Sequence, residues 1–253
     1  MTAKVRAFLS DTDAYKVAFE TFLANTDQKV NARAWMDAQI PGLDDVEVLV
    51  DAGAGNGELT KYLVDRFGSV IAIEPNPFLL EQLQVDCPDV LTIASGILEA
   101  TVPPQSASLA VCSHVFYYIP PDQWLANLQQ IASWLKPGGK AWIILQRPDT
   151  DCMQMRDHFG EQTFSLQPMC DQFIAERGAQ FDAVMHSIDA SITTKTLKDA
   201  YVIAEFMMNM LPLVSPPDAA DLEAYVEQHF ADSPTSYRFS CTQNVLELTR
   251  KGA

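Results

Sequence analysis

The chain has 253 residues, of which 48% are hydrophobic, and carries a net charge of −16 with a pI of about 4.4. This length suits one large α/β domain or two small ones with a substantial core, and the negative charge opposes binding to nucleic acid or to an acidic membrane surface. The five cysteines are scattered without a C-x-x-C pair, which excludes a zinc knuckle and a disulfide framework and is typical of a reduced, cytoplasmic protein.

The N-terminal residues MTAKVRAFLSDTDAY lack the apolar core of a signal peptide, and no stretch approaches the roughly 20 apolar residues of a membrane helix. We therefore expect a cytoplasmic protein that does not enter a membrane. Residues 12–40 are predicted to be helical, ending at IPGLDD, because aromatic and aliphatic residues recur there at helical spacing. These residues are Tyr15, Phe19, Phe22 and Leu23.

From residue 46 onward, apolar runs alternate with amphipathic ones. Five predicted strands are VEVLVDAG, SVIAIEPN, DVLTIAS, SLAVCSH and KAWIILQR. The predicted helices between them are GELTKYLVDRFG, PFLLEQLQVDC, which starts near Pro77, and PDQWLANLQQIASWLKPGG, which the Lys-Pro-Gly-Gly run ends. Strands alternating with helices predict a parallel, doubly wound sheet.

After Arg147 the alternation weakens. We predict helices near 150–160, 167–178, 195–211 and 217–231, and strands at 181–190 and 237–249. We interpret the whole chain, 1–253, as a single domain. In this interpretation the N-terminal helices (about 1–45) and the insert 195–231 form a helical cap over a core of 46–190, and 237–249 is the last strand of the sheet.

Three glycines follow the first predicted strand in VLVDAGAGNGELT. Gly53, Gly55 and Gly57 stand between that strand and a helix, where glycine allows positive φ and a close approach of ligand to backbone. Open α/β sheets bind ligands at this edge. The second strand ends in Glu74, 17 residues after Gly57, a distance that suits an acid contacting ribose hydroxyls. An ordinary strand–helix turn is the alternative, and the downstream acid favours nucleoside binding.

The loop is not a dinucleotide fingerprint. Its spacing is G-x-G-x-G rather than G-x-G-x-x-G. Asp51 stands directly before it, and a carboxylate there would repel a pyrophosphate but suit a ligand with an ammonium or sulfonium group. No phosphate-binding G-x-x-x-x-G-K-[ST] loop occurs.

VDAGAGNGELT, IEPN and LKPGG followed by a strand together resemble class I S-adenosylmethionine-dependent methyltransferases, over about residues 46–147. The resemblance implies a Rossmann-like, seven-stranded, mostly parallel sheet with one antiparallel strand in its last pair. It implies that S-adenosylmethionine contacts the glycine loop with Asp51, that Glu74 binds the ribose, and that Ser113 lies at the cofactor. Residues after strand three would flank the adenine. The acid that the family often has there falls on Gly96, so Ser95, Gly96 and Ile97 would line the adenine with fewer side-chain hydrogen bonds.

A closer resemblance to the histamine N-methyltransferase family starts at FLSDTDAYKVAFETFLANTDQKVNARAWMDAQIPGL and includes HVFYYI with Tyr117 and Tyr118. It is loose after about residue 150. It implies a small-molecule acceptor held between the sheet edge and the cap. The family's acceptor-binding glutamate, glutamine and asparagine fall on Gln28, His114 and about Cys241, with Asp27 and Asn244 nearby. Because a buried polar group left unpaired costs about 1–3 kcal/mol, we expect a substrate other than histamine.

His114 is the histidine next to the predicted cofactor site. It is either a general base or, as we favour, a polar wall residue that orients the acceptor. Tyr117 and Tyr118 hold a cation by their ring faces or pack in the core. Tyr15 closes the site or belongs to the core face of its helix.

The run EFMMNMLPL, with Phe206, is either an adaptable lid or ordinary packing. His158, His186 and His229 show no metal-site spacing, and no acidic set follows strand four, so we expect no metal. The leading function is methyl transfer from S-adenosylmethionine to a small molecule, at an amine nitrogen. The alternatives are O-methylation and a catalytically silent partner subunit. We expect a monomer whose only partner is the small-molecule acceptor.

Overall fold

A computed structural model describes residues 3–8 and 12–252. The predicted domain 1–253 also includes residues 1–2, 9–11 and 253, which lie outside the described residues. The motif that starts at Phe8 includes residues 9–11 of these. Within the described ranges, no helix combines the length and the apolar character needed to span a membrane.

The described residues form nine α-helices. They are α1 (Asp13–Asn25), α2 (Gln28–Gln39), α3 (Glu58–Leu63), α4 (Pro77–Asp86), α5 (Trp124–Trp134), α6 (Asp151–His158), α7 (Gln167–Arg177), α8 (Leu197–Met208) and α9 (Ala219–Phe230). Side-chain caps set several of the N-termini. Thr12 accepts from the Tyr15 amide at α1, and Asn76 accepts from the amides of Phe78 and Leu79 at α4.

Ten strands form two sheets within the described ranges. The strands are β1 (Val48–Ala52), β2 (Ser69–Ile73), β3 (Leu91–Ile93), β4 (Ala107–Ser113), β5 (Leu135–Gln146), β6 (Phe181–Ile188), β7 (Ser191–Thr194), β8 (Ala231–Ser233), β9 (Ser236–Ser240) and β10 (Gln243–Arg250). The larger sheet has seven strands in the order β3-β2-β1-β4-β5-β10-β6, and the smaller one has the order β7-β9-β8. The seven-stranded, mostly parallel sheet confirms the predicted α/β class.

The chain divides into two compact units. The sheet unit comprises Asp37–Leu145, Leu166–His186 and Asn244–Ala253, and the mixed unit comprises Met1–Met36, Gln146–Ser165 and Ser187–Gln243. In the sheet unit, β1 pairs in parallel with β2 and β4, β2 with β3, and β4 with β5. The first six residues of β4 are buried, as expected for a central parallel strand covered on both faces. Because parallel strands end at the same edge, β1, β2 and β4 bring their carboxyl ends together.

The mixed unit has its own hydrophobic core, in which helices α1, α6, α8 and α9 and the small sheet contribute buried side chains. They include Phe22, Met155, Ile203, Val226 and Phe239. Of the predicted cap, the N-terminal segment up to Met36 and the insert 195–231 belong to this unit, whereas residues 37–45 belong to the sheet unit. Helix α1 packs against α8. That the cap segments cover the sheet remains a prediction.

Several predicted elements need correction. The helix predicted over 12–40 is two helices, α1 and α2. The strand predicted over 237–249 is two strands in different sheets, β9 and β10, because the amide of Cys241 between them donates to the carbonyl of Ala190 instead (2.9 Å). The strand predicted at 181–190 ends at Ile188. The Lys-Pro-Gly-Gly run belongs to β5, since α5 already ends at Trp134.

Candidate functional site

The glycine loop turns sharply at the end of β1. The amides of Gly53 and Ala54 both donate to the carbonyl of Ile73 at the end of β2 (2.8 and 2.9 Å), which draws the loop onto the neighbouring strand. Gly53, Gly55 and Gly57 have φ of +79°, +58° and +83°, the left-handed region that side chains with a β-carbon seldom adopt. The prediction that this loop needs glycine for its backbone conformation is therefore confirmed.

The three glycines differ in what surrounds them. A β-carbon at Gly53 would overlap Cγ2 of Val115, and one at Gly57 would lie 2.9 Å from Cγ of Leu83. At Gly55 the same atom would meet nothing within 4 Å. Gly53 and Gly57 therefore allow the loop to pack against the protein, whereas Gly55 leaves backbone that a ligand can approach.

Glu74 follows β2 and is only 6% exposed. Its Oε2 accepts from the amide of Gly55 and its Oε1 from the amide of Asn76, both at 2.8 Å. Each carboxylate oxygen can accept a second hydrogen bond. The amides of Gly55 and Asn76 thus hold one carboxylate oxygen each, and both oxygens keep the capacity to accept from two neighbouring hydroxyl groups. Ribose binding by Glu74 remains a prediction.

Asp51 lies inside β1 and is 2% exposed. Burial raises its pKa from 3.8 to about 6, against the hydrogen bond that Thr60 donates to Oδ2 (2.6 Å), and the negative charge of Glu74 adds to the rise. The carboxylate is ionised above this pH and has little solvent to stabilise its charge. A cationic group bound nearby would stabilise it.

Ser95, Gly96 and Ile97 follow β3, and the side chain of Ile97 is 6% exposed. The hydroxyl of Ser95 donates to the carbonyl of Gly96 (3.1 Å). A β-carbon at Gly96 would lie 2.6 Å from Oε2 of Glu99, so a carboxylate lies beside the position where the family often has an acid and this chain has glycine. Glu99 was not among the predicted residues.

At the end of β4, Ser113 closes the strand, and His114 leaves it with φ of +59°. The strand predicted to include His114 therefore ends one residue earlier. The amide of His114 donates to the carbonyl of Ile144 in β5 (2.8 Å). The next residue, Val115, is the side chain that lies against Gly53, so the segment after β4 contacts the glycine loop.

Phe116–Tyr118 form a single 3₁₀ turn. Tyr117 is 8% exposed, and its hydroxyl lies 3.0 Å from Nδ1 of His114. Tyr118 is 78% exposed. The structure therefore brings His114 and Tyr117 together and leaves Tyr118 exposed, so core packing, one of the two roles predicted for each tyrosine, does not apply to Tyr118.

The other predicted acceptor residues lie in the mixed unit, in two groups. Tyr15 and Phe206 are ring neighbours with centroids 5.7 Å apart, and Phe19 and Phe22 also contact Phe206. Gln28, 6% exposed, donates from Nε2 to the carbonyl of Cys241 (3.1 Å).

The thiol of Cys241 is fully buried and lies 3.4 Å from Oγ1 of Thr26. These contacts explain why Gln28 and Cys241, which fall on polar positions of the family's acceptor pocket, are buried within this unit. An acceptor role for the two groups remains a prediction.

Sequence reasoning missed Thr60, Val115 and Glu99 at this edge of the sheet. Thr60 stands nine residues from its partner Asp51, and Val115 is an ordinary apolar residue, so no spacing signals either contact. Among the described residues, no group of three or more His, Cys, Asp or Glu side chains is arranged to hold a metal ion.

A family model described as "Methyltransferase domain" matches residues 18–195. An uncharacterized methyltransferase of Mycobacterium bovis is 26% identical over 101 residues, covering 40% of this chain and 40% of the relative. An uncharacterized methyltransferase of Mycobacterium tuberculosis matches equally. The aligned segment thus spans about two fifths of the length of these curated relatives.

Two solved structures share the fold at low identity. A candidate methyltransferase of Bacillus halodurans has a TM-score of 0.61 at 14% identity, covering 85% of this chain and 97% of the other. The YcgJ protein of Bacillus subtilis has a TM-score of 0.59 at 13% identity, covering 86% and 98%. These likenesses concern the architecture of the chain.

Proposed function

Because the chain belongs to the family of methyltransferase domains, we propose that it transfers a methyl group from S-adenosylmethionine to a small-molecule acceptor, with an amine nitrogen as nucleophile. The observation that carries the proposal is the pairing of Glu74 with the open glycine loop. The amide of Gly55 holds the carboxylate at 2.8 Å. The backbone of Gly55 is open, since an added β-carbon there would meet nothing within 4 Å.

The residues at this edge fit the cofactor in charge and in hydrogen-bonding capacity. Glu74 would accept from the two ribose hydroxyls, and Ser95, Gly96 and Ile97 would border the adenine. The negative charge of the Asp51 carboxylate would stabilise the positive charge of the sulfonium. The bound cofactor supplies an electrophilic methyl group. The protein's part is to hold the acceptor in line with it and to exclude water, since near-attack positioning accounts for much of the rate of such a displacement.

An amine must present a lone pair to accept a methyl group. His114, at the end of β4 beside the glycine loop, is the polar side chain we assign to the acceptor. It orients the acceptor or takes its proton. We propose further that the acceptor is not histamine, although HVFYYI resembles the histamine N-methyltransferase family. The amide of Gln28 and the backbone of Cys241 are bonded to each other at 3.1 Å, which supports a pocket of different chemistry.

A methyl-transfer screen over biogenic amines, amino acids and small phenols tests this proposal, with S-adenosylhomocysteine as the product measured. We expect turnover with an amine or amino acid. Hits confined to phenols or carboxylates would replace nitrogen by oxygen as the nucleophile. Histamine turnover comparable to that of the best acceptor would contradict the substrate assignment. Failure of every acceptor, together with failure to bind the cofactor, would favour a silent partner subunit.

The role of His114 is tested by His114→Asn, because asparagine tolerates the positive φ that this position requires. We expect kcat to fall at least about tenfold while the Kd for S-adenosylmethionine changes less than about twofold. Equal losses in both would place the histidine in the cofactor site.

The monomeric state and the cytoplasmic location remain part of the proposal. The five cysteines are all free and buried, which accords with a reducing compartment. Size-exclusion chromatography with light scattering tests the monomer directly.

A further inference from the structure

His114 is held through its side chain by Tyr117. The Tyr117 hydroxyl lies 3.0 Å from Nδ1 of His114, within the range of a good hydrogen bond. The two rings are stacked, with centroids 5.6 Å apart and planes inclined by 29°. Tyr117 is buried and His114 is half-buried, so the contact is largely shielded from competing water.

The backbone of His114 is held as well. Its φ of +59° lies in a region that few residues other than glycine adopt. Such a conformation persists only where the surroundings enforce it. Here the amide of His114 is bonded to the carbonyl of Ile144 (2.8 Å), and Val115 lies against Gly53. The imidazole therefore leaves the backbone in a direction fixed before any ligand binds.

Tyr117 itself stands on a rigid turn. The amide of Tyr118 donates to the carbonyl of Val115 (2.9 Å), which closes the turn. Phe116 is fully buried and meets the ring of Trp124 edge-on at 5.4 Å. Trp124 in turn donates from Nε1 to the carbonyl of Ile119 (2.9 Å). Contacts on both sides of Tyr117 thus stabilise the turn. The Tyr117 hydroxyl is therefore in a fixed position from which it can orient His114.

The direction of the hydrogen bond follows from the chemistry of the two groups. A neutral imidazole has one N–H donor and one nitrogen with a lone pair. The lone pair of the phenol oxygen is delocalised into its ring, so the hydroxyl is a better donor than acceptor, whereas the imidazole nitrogen is a strong acceptor. The favoured arrangement is therefore O–H of Tyr117 to Nδ1, which puts the imidazole proton on Nε2.

We propose that Tyr117 is a positioning residue that holds His114 in the Nε2–H tautomer. In this form His114 donates a hydrogen bond to the acceptor and orients it, and it does not take the acceptor's proton. The amine then has to arrive with its lone pair already available. The tautomer is a property of the chain alone, and only its consequence for turnover rests on the proposed function.

The test is a long-range proton–nitrogen NMR spectrum of the full chain, at a pH well above the range in which imidazole titrates. The chain has four histidines, and His114→Asn identifies the signals of His114 by their loss. We expect Nδ1 to be unprotonated and Nε2 protonated, more completely than in the exposed His229. In Tyr117→Phe, the nitrogen shifts of His114 should move towards the tautomer mixture of His229.

Tyr118→Phe is the matched control for this spectrum, since it removes the same group from the exposed neighbour. It should leave the His114 shifts in place. If Tyr118→Phe changed the His114 nitrogen shifts as much as Tyr117→Phe does, the cause would be a disturbance of the turn and not the loss of the Tyr117 hydroxyl. A protonated Nδ1 in the wild-type chain would overturn the proposal by itself, even if Tyr117→Phe failed to fold. Unchanged shifts in a folded Tyr117→Phe would also overturn it.

Once an acceptor is known, kinetics give a second readout. We expect Tyr117→Phe to lower kcat about tenfold, the effect of losing one well-placed hydrogen bond, with the KM for S-adenosylmethionine nearly unchanged. Loss confined to cofactor KM would contradict a positioning role. If no acceptor is ever methylated, the proposed function fails while the NMR result still decides the tautomer.

Discussion

Replacing Asp51 by asparagine removes a carboxylate that is 2% exposed inside β1. In the folded chain this group keeps its proton up to about pH 6, and its ordinary pKa is 3.8. Between those values the folded state binds more protons than the unfolded state, so the free energy of unfolding falls as the pH rises. The asparagine variant lacks this titration and still offers an oxygen to Thr60.

The size of the effect follows from the two pKa values. A difference of about two pH units corresponds to about 3 kcal/mol, which the wild type loses relative to the variant above pH 6. About 1.4 kcal/mol of this falls between pH 5 and pH 7.5. Urea unfolding of both proteins at these two pH values measures it. We expect Asp51→Asn to gain stability relative to the wild type by about that amount as the pH rises.

Thr60→Val keeps the Asp51 carboxyl and should raise its pKa further, with little change in side-chain shape. It removes the hydroxyl whose hydrogen bond lowers the pKa of Asp51, so the pH dependence should become steeper. A stability difference between Asp51→Asn and wild type that stays constant from pH 5 to pH 7.5 would refute the burial argument. Asp51→Asn should also lose more affinity for S-adenosylmethionine than for S-adenosylhomocysteine, because only the former carries a positive charge on sulfur.

Two further substitutions separate the binding role of the glycine loop from its structural role. Gly55→Ala and Gly160→Ala both place a β-carbon at positive φ with nothing within 4 Å, so each should destabilise by about 1–2 kcal/mol. Only Gly55→Ala should weaken cofactor binding in calorimetry. If both variants bound the cofactor with the same affinity, the cofactor would not contact the backbone of the glycine loop. Glu74→Gln should weaken cofactor binding at least about tenfold, since a charged hydrogen-bond acceptor is lost. The control Glu81→Gln changes an exposed glutamate and should leave cofactor binding unchanged. Similar effects of the two substitutions would contradict ribose binding by Glu74.

The sheet was predictable because its strands are short apolar runs bounded by turn residues. VLVDA and ASLAVCS are buried along most of their length, and apolar runs of this length between turn residues favour strands over helices. The end of the chain was less predictable. Residues 237–249 have one continuous strand-like pattern, but Cys241 bonds to Ala190 and to Gln28. Such tertiary contacts leave no local signal.

The candidate site divides in the same way. The glycines and Glu74 could be selected from the sequence because the roles we propose for them depend on backbone conformation and on a fixed distance along the chain. The positive φ of His114 was not foreseen, since glycine or asparagine is the usual sign of that conformation. The burial of Tyr117 beside exposed Tyr118 depends on the 3₁₀ turn, and HVFYYIP offers no period that distinguishes the two tyrosines.

Every step of the proposed reaction requires that the loop from Gly53 to Gly57 and Glu74 together form a site for S-adenosylmethionine. Isothermal titration calorimetry of the full chain with S-adenosylmethionine decides whether they do. We predict saturable binding with one site per chain and a Kd in the micromolar range, about 8 kcal/mol of binding free energy, lost or strongly weakened in Gly55→Ala. Absence of binding at millimolar ligand, or undiminished binding by Gly55→Ala, would show that the site lies elsewhere or does not exist.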